Sequence, residues 1–449
     1  MSVFEKISLF ISVPLLILAI FFTGMTVVAD RLPPYESFRK FKMYQTEVQQ
    51  GFNLELLVAL GQNPHIINSI EHGGHSLGRV DPDRVQPGYT LAEAYDGKHF
   101  GLDLLDVNGN KVHRWQVPQS VYDKIDTNIA PGLIEIMGAH LYPNGDALII
   151  LSRLGMVRLD LCSNPKWLVP DAVHHDLAVD NDGSIWTLSL NLIKSEHSAL
   201  PRLTVPYYSD NIVHISADGE PIEEFSILES IFDSSYQALV LNGPQDHPVS
   251  INYDPTHTNS LNIVGEDFAR HAQFAEPGDF LISLRTTDSL VLIDRKTHKV
   301  KWALQGPFMR QHDPDLLPDG TISVFDNRAG DSQFNEARRL TKPQIFGYSR
   351  IIRIDPLTQK IIWQYQGTED EPFYTSVQGE HQYLDNGNVL ITETEAGRVF
   401  EVDPRDNSIV WEWYNVLDPI AGPGTVGRVT RARRYPGEEL TFLGKSCPQ

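Results

Sequence analysis

The feature of the sequence that most constrains its fold is a repeated motif: an apolar stretch ends in Asp, and Trp follows seven to nine residues later. A degenerate copy around His214–Ser216 has Phe225 in the Trp position. In each copy, alternating apolar and polar residues flank a tight-turn signal such as Asn108-Gly109, which predicts two strands joined by a hairpin. The five complete copies pair Asp106 with Trp115, Asp160 with Trp167, Asp294 with Trp302, Asp355 with Trp363 and Asp403 with Trp411.

A second element precedes most copies and brings each repeat to about four strands. It is a turn signal followed by an apolar run, as in Pro143-Asn144-Gly145 before residues 147–150, or Pro318-Asp319-Gly320 before residues 321–324. Four strands repeated radially form a propeller blade, and a pitch of roughly 50 to 60 residues suits a blade with loops. The sequence therefore predicts an all-β domain, a six-bladed β-propeller, over residues 89–437.

The ends of the chain lie outside this repeat. No charged residue occurs from Ile7 to Ala29, and a helix of that length crosses the hydrocarbon core of a bilayer. We therefore predict an N-terminal transmembrane helix, acting as an anchor or uncleaved signal, at residues 1–29. Residues 30–88 are expected to be partly helical or loop, and residues 438–449 to form a C-terminal tail.

Charge and cysteine content exclude several classes of function. The formal net charge of −21 argues against nucleic acid as a partner, because that recognition depends on basic patches. The two cysteines, Cys162 and Cys447, are too few and too far apart for a zinc or redox framework. Whether they pair is left open.

Histidines recur at the start of comparable strands, each ahead of a turn signal or an apolar run. Because the innermost strands of a propeller converge on its axis, equivalent positions on different blades form a ring. Such a ring can bind a metal, or it can handle an anion with a histidine nucleophile. Arginines at neighbouring strand ends, Arg153, Arg285 and Arg328, favour the anion. The five histidines are His140, His175, His257, His312 and His381.

Several of these segments resemble the bacterial aryl sulfate sulfotransferases, which do not use a nucleotide sulfate donor. The resemblance covers roughly residues 90 to 435. Its most specific parts are the His-x-Asn-Ser segment and the Gln-His and Phe-Asp-Asn segments, in this order. The matching segments are Thr256–Ser260, Ser283–Arg285, Gln311–Asp313, Phe325–Asn327, Tyr348–Arg350 and Gly379–Gln382.

The resemblance implies a six-bladed, generally periplasmic enzyme with a ping-pong reaction. A histidine takes the sulfuryl group from a phenolic sulfate and passes it to an acceptor phenol. Carried over by motif, His381 is the expected nucleophile, while His257, His312 and Arg328 bind the sulfuryl oxygens. We expect the substrate also to contact Asn327, Arg285, His175 and His140.

The resemblance also bears on partners and location. No cofactor and no metal is expected, and the partners are a small aryl sulfate donor and a phenolic acceptor. Together with the predicted helix, this places the protein in the inner membrane as a single-pass protein with its catalytic domain facing the periplasm. The oligomeric state and the physiological substrates stay open.

Two other interpretations remain. The first is a non-catalytic, membrane-anchored propeller scaffold that binds a partner protein, in which the histidines point away from one another. The second is a metal-dependent ester hydrolase.

Overall fold

The computed structural model describes residues 63–68, 75–125, 127, 129–197, 203, 205–241, 254–329 and 346–447. Their architecture is six antiparallel sheets of at least four strands each and one two-stranded sheet. The predicted all-β, six-bladed β-propeller is confirmed. Predictions for residues 1–62 lie outside the described residues.

Two short strands, β1 (Ile66–Asn68) and β2 (Leu77–Val80), precede the blades. The first blade contains β3 (Tyr89–Tyr95), β4 (Phe100–Leu105) and β5 (Lys111–Gln116). The second contains β6 (Ile136–Leu141), β7 (Ala147–Leu151), β8 (Gly155–Leu159) and β9 (Pro165–Val169), and the third β10 (Val173–Val179), β11 (Ile185–Ile193), β12 (Tyr207–Ile215) and β13 (Pro221–Ser226).

The remaining blades follow the same order. The fourth contains β14 (Thr258–Ile263), β15 (Phe280–Leu284), β16 (Ser289–Ile293) and β17 (Val300–Gln305). The fifth contains β18 (His312–Leu316), β19 (Ile322–Asp326), β20 (Arg350–Asp355) and β21 (Lys360–Gln366). The sixth contains β22 (Glu380–Tyr383), β23 (Val389–Glu393), β24 (Arg398–Asp403) and β25 (Ser408–Tyr414), and the chain ends with β26 (Thr425–Gly427) and β27 (Val429–Tyr435).

Helices are short and lie between strands. The α-helices are Gln119–Tyr122, Ile227–Phe232, Ala238–Leu241, Glu266–His271 and Asp418–Ala421, and the 3-10 helices are Pro131–Leu133, Thr394–Ala396 and Gly437–Glu439.

The ring closes through the C-terminal strand. β27 pairs antiparallel with β3, from Val429 opposite Ala94 to Tyr435 opposite Tyr89. The first blade thus takes its innermost strand from the end of the chain. This pairing joins the two ends of the ring.

The N-terminal strands were not predicted. β2 joins the sixth blade as a fifth, outer strand by pairing with β25, and β1 pairs with β26. Part of the region assigned to helix or loop is therefore sheet. These strands are only three and four residues long, too short for a periodic signal.

The repeated Asp and Trp residues have separate structural roles. The Asp106 carboxylate accepts the backbone N–H groups of Asn108 and Asn110, both at 2.9 Å, and so holds the hairpin turn. The Trp115 indole donates to the carbonyl of Gly145 in the next blade at 3.0 Å. The motif recurs because every blade needs one turn and one contact with its neighbour.

Cys162 and Cys447 form a disulfide with a Cα–Cα distance of 5.4 Å. The bridge joins the C-terminal tail to the second blade. In the same tail, Phe442 packs edge-on against Trp115 of the first blade, with centroids 5.7 Å apart.

Removing this disulfide should destabilise the fold. We expect Cys447→Ser to lower the free energy of unfolding by about 2–4 kcal/mol, because the crosslink restricts the unfolded chain. Urea denaturation measures the loss, and Ser446→Ala, a change at the exposed neighbouring residue, is the matched control. Equal unfolding midpoints for the two variants would contradict the expectation.

The predicted localisation is corrected. Within the described residues, no helix is long and apolar enough to cross a membrane. The inner-membrane, single-pass, periplasm-facing placement is therefore withdrawn. It depended on residues 1–29, which lie outside the described part of the chain.

Candidate functional site

A cavity lies where the innermost strands meet, and residues of several blades line it. His312 of the fifth blade and His175 of the third both line it. The predicted convergence of histidines from different blades is thus present for this pair. The other lining residues are Met137, Asn259, Asp313, Gln378, Gly379, Thr430 and Arg431.

His312 is held in a defined orientation at the start of β18. Its Nδ1 lies 2.8 Å from the Asn327 side-chain oxygen. The Asn327 amide nitrogen donates to the carbonyls of Thr375 and Gln378, at 3.0 and 2.8 Å. With both N–H groups given to carbonyls, the Asn327 oxygen must accept from His312, so the ring carries its proton on Nδ1.

The other ring nitrogen of His312, Nε2, therefore carries a lone pair. The backbone N–H of Gln378 donates to it at 3.2 Å. Burial, together with the nearby Arg285 charge, lowers the pKa of His312 to about 3. The imidazole is thus neutral at physiological pH and can act as a nucleophile or base.

His175 belongs to a histidine pair in the third blade. Its Nδ1 lies 2.6 Å from Nδ1 of His174, and His174 Nε2 lies 3.4 Å from Oδ1 of Asp210. His175 adopts a positive φ of 58° at an irregularity in the pairing of β10 with β11. This turns two consecutive imidazoles toward the axis, where strict alternation would send one outward.

His257 forms a carboxylate–imidazole dyad beside this pair. Its Nδ1 lies 2.8 Å from Asp254 Oδ2, and Asp254 also accepts the His257 backbone N–H at 2.8 Å. The His257 and His175 rings meet edge to face with centroids 5.4 Å apart. The Asp254 carboxylate accepts the proton that Nδ1 carries. In a neutral His257 the other ring nitrogen, Nε2, therefore has the lone pair and is the acceptor.

Arg285 is a buried cation close to these rings. Only 7% of its surface is exposed, and within the described residues its guanidinium makes no hydrogen bond or ion pair. Burial and the neighbouring Arg310 charge lower its pKa to about 10. A guanidinium desolvated in this way is suited to bind an anion with two parallel hydrogen bonds.

His381 lies away from the cavity lining, and its side chain is fully buried. Nδ1 is 2.9 Å from Asp313 Oδ2, and Nε2 is 2.7 Å from the Ser323 hydroxyl. Burial opposes protonation, but the Asp313 carboxylate outweighs it and raises the pKa of His381. The residue predicted as nucleophile is thus engaged at both ring nitrogens.

The closing strand contributes Arg431 to the cavity, surrounded by carboxylates. Its guanidinium donates to Asp176 at 2.7 Å and lies 3.8 Å from Glu380. Burial raises the pKa of Glu93 to about 7 and that of Glu380 to about 8. Arg431 is already paired, so Arg285 is the better candidate for an anion.

The raised pKa of Glu380 predicts a pH-dependent stability difference. A carboxyl group with a folded pKa of about 8 and an ordinary pKa of 4.5 costs no stability below pH 4.5. The cost grows as the pH rises and is complete above pH 8. Glu380→Gln, which mimics the neutral acid, should therefore match the wild type near pH 4.5 and be more stable at pH 8.5. Urea denaturation at both pH values tests this, with the exposed Glu438→Gln as control. A difference that does not change with pH contradicts it.

Arg328 and His140 also lie outside the cavity lining, as do His257, Arg285 and Asn327. The Arg328 guanidinium donates to Gln366 of the outer strand β21 at 3.2 Å. The ring of His140 packs edge-on against Tyr142, with centroids 4.7 Å apart, and burial lowers the pKa of His140 to about 4.

One group could hold a metal ion: ligand atoms of Asp313, Asp315 and His381 lie within 4.8 Å of one another. Both ring nitrogens of His381 are engaged, as described above, and Arg431 lies 4.0 Å from the other Asp313 oxygen. The group therefore carries its own positive charges, so its donor set does not require a metal.

Several residues around the cavity were missed from the sequence. Asp210, Asp254 and His174 were overlooked as partners of the predicted histidines, and Gln378 and Arg431 were not considered. The spacing Asp254-x-x-His257 and the adjacent His174-His175 pair were visible signals. No sequence pattern marks Asp210. It lies on β12 and His174 lies on β10, and these two strands are separated by β11 in the same sheet.

Comparison with known proteins identifies one family. The family model described as "Arylsulfotransferase (ASST)" matches residues 156–415, more than half of the 449 residues. No curated protein matches the chain.

Solved structures similar to the chain have low sequence identity. A Bacteroides caccae protein of unknown function is 10% identical with a TM-score of 0.48, covering 77% of this chain and 98% of that one. Virginiamycin B lyase from Staphylococcus aureus is 11% identical with a TM-score of 0.40, covering 82% and 98%. The WD40 β-propeller domain of Doa1 is 11% identical with a TM-score of 0.40, covering 73% and 79%. At these values the likenesses carry no argument about function.

Proposed function

Because the chain belongs to the arylsulfotransferase family, we propose that it moves a sulfuryl group from an aryl sulfate to a phenolic acceptor through a sulfo-histidine. The observation that carries the proposal is a neutral imidazole of fixed tautomer, His312, in a cavity beside the unpaired cation Arg285. This combination offers a nucleophile and an anion site at one place.

In this mechanism His312 is the nucleophile. The Nε2 lone pair attacks sulfur while the bond from sulfur to the phenolic oxygen breaks, and the phenolate leaves with that electron pair. In the return step the acceptor oxygen attacks sulfur, and the nitrogen–sulfur bond breaks to regenerate the neutral ring. A weakly basic imidazole, held at a pKa of about 3, is also a good leaving group in this step.

The backbone amide of Gln378 has a second role in this mechanism. It donates to Nε2 of His312 at 3.2 Å. Because the sulfur must bind at this lone pair, the substrate displaces the amide from it. The same N–H then lies beside the sulfuryl oxygens. A fixed amide donor at that point stabilises developing negative charge without reorganisation.

Arg285 stabilises the charge on the transferring group. By analogy with phosphoryl transfer, the transition state is loose and carries its charge on the equatorial oxygens. Arg285 has its guanidinium free for those oxygens, and its charge already acts on His312.

His381, the nucleophile implied by the family resemblance, takes a different role in this proposal. With both nitrogens engaged and a raised pKa, it neutralises the buried Asp313 carboxylate. Its ring does not line the cavity, and it is surrounded by the Asp313 carboxylate and the Ser323 hydroxyl instead. Its backbone N–H also donates to Asp313 at 2.6 Å, which ties the sixth blade to the fifth.

The proposal is tested with a chromogenic aryl sulfate. Incubation without acceptor should release a burst of phenol equivalent to the enzyme sites, and intact-mass spectrometry should find one added SO₃ group. Peptide mapping should locate this group on His312. Added phenol should then turn the burst into continuous turnover that is insensitive to chelators. No phenol release from a broad donor panel rejects the function and favours a non-catalytic scaffold, and chelator-sensitive release favours a metal-dependent hydrolase.

A further inference from the structure

The third blade contains a chain of three buried groups that ends at the cavity. Asp210 is 1% exposed and His174 is 2% exposed, and His175 lines the cavity. His174 lies between the other two, 3.4 Å from Asp210 and 2.6 Å from His175, as described above. The reaction as proposed so far does not use Asp210 or His174.

The hydrogen-bond partners of Asp210 determine where the proton of His174 lies. Oδ2 accepts from the Thr256 hydroxyl at 2.6 Å and from the Thr258 backbone N–H at 2.7 Å. Among the described residues, Asp210 Oδ1 and His174 Nε2 have no hydrogen-bond partner, and they face each other at 3.4 Å. Two buried polar atoms facing each other satisfy one another, so His174 carries a proton on Nε2.

The tautomer of His174 in turn determines that of His175. A neutral His174 protonated on Nε2 has a lone pair on Nδ1, so His175 Nδ1 is the donor in the 2.6 Å contact. The remaining nitrogen of His175, Nε2, is then an acceptor at the cavity. Two carboxylate-ordered imidazoles in series form a path along which a proton can move.

We propose that Asp210, His174 and His175 form a proton relay that deprotonates the acceptor phenol during sulfuryl transfer. The inference rests on the proposed function and assigns the base for its second half. The phenolic O–H bond breaks as His175 Nε2 takes the proton. The Nδ1 proton of His175 moves to His174 Nδ1, and His174 becomes an imidazolium beside the Asp210 carboxylate.

The charges around the pair explain why the proton moves on to His174. Burial holds the pKa of His175 well below the usual value, and the neighbouring His174, His257 and His312 rings and the Arg153 charge act in the same direction. His175 is therefore a poor final acceptor. Burial would raise the pKa of Asp210, but the His174, Thr256 and Thr258 contacts hold it at about 2, so this carboxylate stays ionised as the counter-ion of an imidazolium.

A relay for the acceptor proton predicts a defect that depends on the acceptor. The donor is a nitrophenyl sulfate, whose phenolate leaves without a proton. With unsubstituted phenol as acceptor at pH 7, Asp210→Asn should slow transfer by about 10²–10⁴-fold, the usual loss on removing general base catalysis. With an acceptor phenol that is already ionised at pH 7, the loss should fall below about tenfold.

Two further variants make the experiment decisive. His175→Gln should show the same acceptor dependence even if Asp210→Asn fails to fold, and Asp218→Asn, at an exposed position of the same blade, should leave both acceptors unaffected. An equal loss with both acceptors overturns the relay, whereas a wild-type enzyme without donor cleavage overturns the proposed function itself. A merely structural role of Asp210 gives the equal loss.

Discussion

His312→Ala is expected to abolish formation of the sulfo-enzyme and to lower turnover by at least about 10³-fold, because loss of a covalent nucleophile removes the whole reaction path. The loss should appear in kcat and in the burst together. Phenol release and intact mass measure the two effects on the same sample.

The controls for His312→Ala separate chemistry from folding. His271→Ala changes an exposed histidine on the helix Glu266–His271 and should retain the wild-type burst. His381→Asn tests the role implied by the family resemblance. A sulfo-adduct mapped to His381 in the wild type, or a burst that survives His312→Ala, would return the nucleophile to His381.

Arg285→Gln is expected to lower kcat/KM by about 10²–10³-fold, the usual cost of removing one preorganised donor to a transition-state oxyanion. The same change should leave thermal stability unchanged or raise it. Burial of this guanidinium costs desolvation free energy that the nearby Asp254 and Asp288 charges offset only in part, and the amide of glutamine costs less. Activity and stability should therefore move in opposite directions.

Inorganic sulfate provides a second measurement of the same site. Sulfate should raise the melting temperature of the wild type, because a ligand that binds only the folded state stabilises it. This shift should be absent in Arg285→Gln and retained in Arg405→Gln, at an exposed arginine in the turn after β24. If Arg328→Gln loses the shift and Arg285→Gln keeps it, the anion binds at Arg328, as the family resemblance implied.

The fold could be predicted because its information is local and repeated. The Asp–Trp spacing records one hairpin turn and one contact between blades. The indoles of Trp115, Trp167 and Trp411 each donate to a backbone carbonyl of the next blade. The short strands β1 and β2 were missed because each pairs with a strand more than 300 residues away and carries no periodicity of its own.

The site was predicted in part. His175 and His312 line the cavity, and His257, Arg285 and Asn327 contact them or act on them. His381 occurs in the same sequence pattern as His312 but is buried, with carboxylate and hydroxyl partners. Nothing in the pattern distinguishes the two residues, because partners such as Asp313 and Ser323 come from the neighbouring blade.

The sequence by itself determined the number of blades, their four-stranded composition and the convergence of several histidines on the axis. Those features follow from alternation, turn residues and repetition, which are properties of neighbouring positions. Only the tertiary structure decided which imidazole is neutral with a fixed tautomer and which carboxylate orders the His174–His175 pair. It also decided which buried arginine makes no side-chain hydrogen bond or ion pair among the described residues. These properties depend on burial and on contacts between distant strands, and a linear pattern contains neither.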